Sequence, residues 1–303
     1  MKKIPVGAAI AHAYRFAFGN FLTVLRAMAL PLVLQLGLSI VMINRVVPAL
    51  KAMQANDPSA FSLLGPVLLL YPIALVLFFV QFTSVTETAL GGAARAWLYF
   101  PIGKKMWRLL GGFVLAALAI IGVIAAFVIA GYLLLLLLGV ILKVSVPGAA
   151  KAVIGLAAAV LILAAYGGLI FLVVRFFFLL APVNIAEQRL GVGRAWLLSR
   201  GNFWRAFLIV LAILIPVVVA EYAAMFAVAG WPSMPRGGGH QAIQAARLAW
   251  QITALSAASR YWYISIPLFA VVMVLYLGAG CAAQAFAYRT LTEGEPSVPV
   301  AAD

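Results

Sequence analysis

Apolar residues in this chain gather into six long runs, at 21–43, 67–88, 109–142, 152–180, 207–229 and 264–286, separated by short polar intervals. A helix rising 1.5 Å per residue needs about 20 apolar residues to cross the ~30 Å hydrocarbon core of a bilayer. Each run meets that length. The third, Leu109–Leu142, holds 34 residues without a charge, which is too long for one upright span and too short for two with a turn. It predicts a single tilted or protruding helix. The pattern therefore predicts an all-α polytopic membrane protein with six transmembrane helices in three parallel hairpin repeats, each preceded by an interfacial amphipathic helix on the cytoplasmic side.

The polar intervals carry the repeat. The longest basic and aromatic one, 187–207, reads E-Q-R-L-G-V-G-R-A-W-L-L-S-R-G-N-F-W-R-A-F, and 87–97 reads E-T-A-L-G-G-A-A-R-A-W. Ala13, Tyr14 and Gly19-Asn20-Phe21 echo Ala195, Trp196 and Gly201-Asn202-Phe203 at the same spacing. Interfacial segment, span, loop and span thus recur with pseudo-repeats of about 4–92, 93–189 and 190–291 inside one membrane domain, 1–291. Units with an even number of spans share orientation, so the copies relate by rotation about the membrane normal. Residues 4–18 are expected to lie in the headgroup plane. Residues 45–62 read as a polar loop, 241–258 as an amphipathic segment on the outer surface, and 292–303 as a short, disordered acidic tail. Pro216 is expected to kink its span.

Composition settles the class. Hydrophobic residues make up 66% and charged residues 9% of the chain, against about 25% charged in soluble domains, and the mean hydropathy is +1.15. In so apolar a chain the net charge of +14 speaks for anionic lipid headgroups, not for nucleic acid. Six spans place 14 of the 21 basic residues on the side of both termini and 7 on the other. The positive-inside rule then predicts a multi-pass protein of the bacterial inner membrane with both termini cytoplasmic. Lys2 and Lys3 resemble a signal n-region, but His12 and Arg15 interrupt any apolar segment behind them, so no cleaved signal is expected.

The candidate chemistry is sparse. Glu87 and Glu187 end the second and fourth spans at equivalent places, as a gate or partner-binding acid, or as carboxylates pairing locally with Arg95 or Arg194. Arg175 and Glu221 fall at membrane depth, where an ionisable group costs about 2.5–3.5 kcal/mol on insertion scales. Together they would form a polar site gripping a lipid headgroup or a solute. Otherwise they serve as glue, or Arg175 snorkels inward and Glu221 outward, with Gln81 and Asn184 as further neighbours for Arg175. Asn20 and Asn202 read as N-caps of the following spans. Trp97, Trp107, Trp196 and Trp204, with Arg205, suit a belt at headgroup level. No catalytic constellation, phosphate loop or metal-ligand cluster is legible, and Cys281 stands alone. No enzymatic activity, cofactor or metal is predicted.

The stretch A-W-L-L-S-R-G-N-F-W-R ahead of a span, the early A-Y-R-F-A-F-G-N-F and the closing A-F-A-Y-R-T-L resemble a group of bacterial six-span inner-membrane proteins. The group includes the membrane domain fused to some glycerophosphoryl diester phosphodiesterases. The catalytic barrel of those enzymes has no counterpart here, so the resemblance implies a membrane module and no esterase. The expected function is an accessory module that binds lipid, or a partner membrane protein, through a basic cytoplasmic face and an interhelical groove. The alternative is a small permease with Arg175 and Glu221 lining its path.

Overall fold

A computed structural model describes residues 2–55, 57–92, 99–145, 150–231 and 239–293. Every regular element among them is a helix: α1 (Val6–Gly19), α2 (Phe21–Gln54), α3 (Ser59–Ala89), α4 (Lys104–Ser145), α5 (Ala150–Phe177), α6 (Leu180–Ala186), α7 (Val192–Leu198), α8 (Phe203–Ala229), α9 (His240–Arg260) and α10 (Trp262–Thr292). Six stretches are long and apolar enough to cross a membrane: α2, α3, α4, α5 running on into α6, α8, and α10.

The helices outrun the hydropathy pattern. Residues 45–54, expected as loop, continue α2 with Pro48 inside it, and α3 begins at Ser59, leaving a short connection. Hydropathy marks the slab a helix crosses, whereas helicity needs only satisfied backbone groups, so a span can extend past its apolar run. Two expectations fall on positions outside the described residues: Arg95 and Trp97, and the acidic tail from 294 onward.

Packing divides the bundle unevenly. α2 and α3 pack along their length, and α10 and α6 join them through Val24, Met28, Val80, Val85, Ala181, Leu277 and Ala282. α4 and α5 also pair with each other, yet their apolar faces stay largely exposed, from Val114 to Val140 and from Val153 to Val173. They form an arm joined to the body mainly at its base. There Phe113 stacks on Phe177 at 4.9 Å between ring centres and meets Phe79 edge-on at 5.1 Å.

Residues 4–18, expected in the headgroup plane, instead build a helix packed into the bundle. α1 lies antiparallel to α10, with Lys2 donating to the Glu293 carbonyl at one end and Ala17 beside Gly278 at the other. Ala9, Ala13 and Ala17 face Ala279, Ala283 and Ala287 in one buried cluster. Small residues repeating every fourth position on both helices let the two backbones approach closely. α1 also lies against α8.

Prolines inside the spans are accommodated by neighbours. Pro31 offers no N–H to the carbonyl of Ala27, four residues earlier, and Ser84 of α3 donates its hydroxyl there instead. This is how a helix deep in an apolar medium keeps a backbone acceptor satisfied despite a proline.

Candidate functional site

Most of the described polar residues that sequence reading singled out collect at the end of the bundle where α3 and α10 finish and α4 and α8 begin. Glu87, on the last turn of α3, is only 6% exposed and takes an ion pair from Lys105 at 2.9 Å and a hydrogen bond from Tyr99 Oη at 3.1 Å. Glu187, equally buried, accepts from Arg189 Nε at 2.8 Å, Arg194 Nε at 3.3 Å and Tyr288 Oη at 3.3 Å. Each acid thus ends up beside a cation and a tyrosine. Lys105, Tyr99 and Tyr288 were missed in the sequence, because their pairing depends on where α4 and α10 bring them.

Asn184 is the keystone of this end. Fully buried in α6, it accepts from the Gly191 N–H through Oδ1 at 2.6 Å and donates from Nδ2 to the Arg108 carbonyl at 3.5 Å. Arg108 in turn donates to the Gln188 carbonyl at 2.5 Å. Gln188 sits at φ 51°, a left-handed conformation uncommon for a residue with a side chain. The tight turn from α6 to α7 is held in that shape by these contacts.

The two Gly-Asn-Phe copies differ in geometry. Gly201 adopts φ 75°, which glycine tolerates freely, and Gly19 does not enter that region. Asn20 and Asn202 do occupy the N-cap positions of α2 and α8, but neither side chain caps its helix. The Asn202 amide is engaged elsewhere: Oδ1 accepts from the Ile4 N–H and Nδ2 donates to the Lys2 carbonyl, both at 3.1 Å. Arg205 adds a bond to the Ile4 carbonyl at 3.2 Å. The base of α8 therefore clamps the strand that leads into α1.

Arg175 meets none of its anticipated partners. Its guanidinium lies over the Trp196 ring at 3.6 Å, with Phe171 at 5.3 Å, and Nη2 donates to the Trp196 carbonyl at 3.0 Å. Ser199, 1% exposed, returns a hydroxyl to the Arg175 carbonyl at 3.2 Å. Arg175 reaches the end of α7 because that short helix leaves its last carbonyls open just where α5 runs past. Glu221 is exposed on α8, 18 residues beyond Phe203 and so about 27 Å along the helix from that end. The structure does not bring Arg175 and Glu221 together. Gln81 is fully buried between α2 and α3, donating to the Pro31 carbonyl at 3.3 Å while its Oε1 has no partner.

Above this polar end, between the α4–α5 arm and α3, α8 and α10, lies a crevice of about 260 Å³. Phe78, Phe82, Phe113, Phe177 and Phe178 form much of its wall, and Tyr276 and Gln284 supply polar atoms. Its aromatic character was not legible, since the phenylalanines come from three separate spans. Among the described residues no group of three or more His, Cys, Asp or Glu side chains stands close enough to hold a metal ion. Compared with protein-family models, with curated proteins and with solved structures, the chain matches none.

Proposed function

We propose that this protein is a non-enzymatic membrane module that binds anionic lipid through the polar end of its helix bundle and the groove above it. One observation carries the reading. Two acids of that end, Glu87 and Glu187, are buried and neutralised locally, while Lys3, Lys104 and Arg200 around them remain exposed, with Glu293 as an exposed acid at the same end. Among the described residues the face therefore carries net positive charge. Trp107 and Trp204, 54% and 71% exposed, stand on the same end, as indoles do at a headgroup layer.

In this reading the basic end is cytoplasmic and the membrane is the bacterial inner membrane. Each juxtamembrane cation adds about 1 kcal/mol of attraction to an anionic leaflet. The resemblance to the membrane domain of the fused phosphodiesterases accords with such a module. A membrane protein partner is the other occupant this face would accept. The permease alternative would need Arg175 and Glu221 to share a path, and about 27 Å of α8 separates Glu221 from the end where Arg175 meets α7.

Native mass spectrometry of gently extracted protein tests the proposal. Retained anionic phospholipid is the expected result. A bare protein, or one carrying only another polypeptide, would count against lipid binding.

A further inference from the structure

We propose that the crevice between the α4–α5 arm and α8 and α10 is a binding site for one acyl chain of an anionic phospholipid whose phosphate is held by Arg175 and Arg200. This rests on the lipid-binding reading above and gives it a location. At about 260 Å³ the crevice exceeds the ~150 Å³ of an apolar cavity known to take up benzene. Val173 of α5 and Leu214 of α8 both line it and both are 38% exposed, so it opens between these two helices. Around helices apolar enough to cross a membrane, what stands at such an opening is lipid tail.

Charge selects the kind of lipid. Arg175 follows Val173 and Val174 of the crevice wall on α5 and turns its guanidinium toward the polar end. Its Nε and Nη2 are engaged with Ser199 and Trp196, and among the described residues Nη1 carries no hydrogen bond. Arg200 is exposed and directly follows Ser199, whose hydroxyl meets the Arg175 carbonyl. Neither guanidinium meets a carboxylate among the described residues. Two like charges without a counter-ion make a site that a phosphate completes, and arginine's fixed donor geometry suits it. On the crevice wall the buried Oε1 of Gln284 has no donor, a polar atom that a lipid hydroxyl would satisfy. Cations below and an apolar slot above match the two ends of one amphiphile.

Gly280 provides a clean test, because it lines the crevice and a Cβ placed on it meets nothing within 4 Å. Gly280→Leu should fill the slot without disturbing α10. Delipidated protein would be titrated with phosphatidylglycerol, and with phosphatidylcholine of the same chains, bound lipid being counted by native mass spectrometry. The expected result is about tenfold weaker phosphatidylglycerol binding in Gly280→Leu and in Arg175→Ala, and a similar deficit for phosphatidylcholine on the parent. Should Arg175→Ala lose its fold, as read by thermal unfolding, Gly280→Leu still decides the question. Phosphatidylglycerol binding unchanged in Gly280→Leu would overturn this site while leaving lipid binding elsewhere on the protein intact. A parent protein that binds no phosphatidylglycerol would overturn both the site and the broader reading.

Discussion

Tyr14 of α1 donates a 2.6 Å hydrogen bond to the carbonyl of Ala212 in α8, the acceptor that Pro216, four residues later, leaves without its helical donor. The proline that the sequence marked as a kink is thus also a docking point for the first helix. Tyr14→Phe should destabilise the protein by about 1–3 kcal/mol, the cost of a buried acceptor left unpaired. In a Pro216→Ala background the new N–H serves Ala212, and the same substitution should cost less than half as much. A double-mutant cycle of thermal unfolding in detergent checks this; equal costs in both backgrounds would refute the link.

Asn202 holds the residues ahead of α1 through both ends of its amide. Asn202→Asp keeps the acceptor for Ile4 but loses the donor to Lys2, and Asn202→Ala loses both. Hydrogen exchange at Ile4 and at the start of α1 should accelerate slightly in the first variant and strongly in the second. Exchange unaltered in Asn202→Ala would mean that α1 is held by its alanine face alone.

Gly191 has no room for a side chain: a Cβ there would collide with Val183 Cγ1 and stand 3.0 Å from Asn184 Oδ1. Gly191→Ala should cost about 2 kcal/mol or more, because the residue must push against a buried and hydrogen-bonded neighbour. Gly193→Ala, two residues on, meets open space and should leave stability unchanged. Expression level and melting temperature of the two variants side by side give the answer.

His12 packs against Phe286 at 5.1 Å between ring centres, with Phe16 on its own helix. Burial, and then the charges of Arg289 and Arg15, hold its pKa below the ordinary histidine value. The folded state thus binds this proton less readily than the unfolded state, so stability rises with pH here. The contribution is complete above about pH 6.5 and is lost as pH falls through the lowered value. Acidification from neutral pH should loosen α1, seen as faster proteolysis near the N-terminus. In His12→Gln that pH dependence should shrink; persistence at full size would assign it to another group.

The spans were legible because each is a stretch that no water-facing structure would tolerate, and length alone fixes how many cross. Glu187 and Arg194 were also readable as a local pair, since only six residues lie between them across one short turn. Other contacts were not, for a common reason. Arg175 looked like an intramembrane charge because hydropathy places a residue by depth, whereas its side chain answers to α7, which the same sequence folds back beside α5. Residues 4–18 looked interfacial because alanine, histidine and arginine alternate with aromatics there. Their stripe of Ala9, Ala13 and Ala17 has meaning only opposite Ala279, Ala283 and Ala287, some 270 positions away. Long-range complementarity of small residues leaves almost no local trace.

That distance also has a consequence for how the molecule is made. The alanine face of α1 finds its counterpart only when α10 has been synthesised. At about 5–20 residues per second the wait is on the order of 15–60 s. Until residue 202 has been made, α1 has neither Asn202 nor α10 to hold it. The bundle therefore closes from α10 backward onto α1, and loss of α10 would leave the alanine face of α1 without its counterpart.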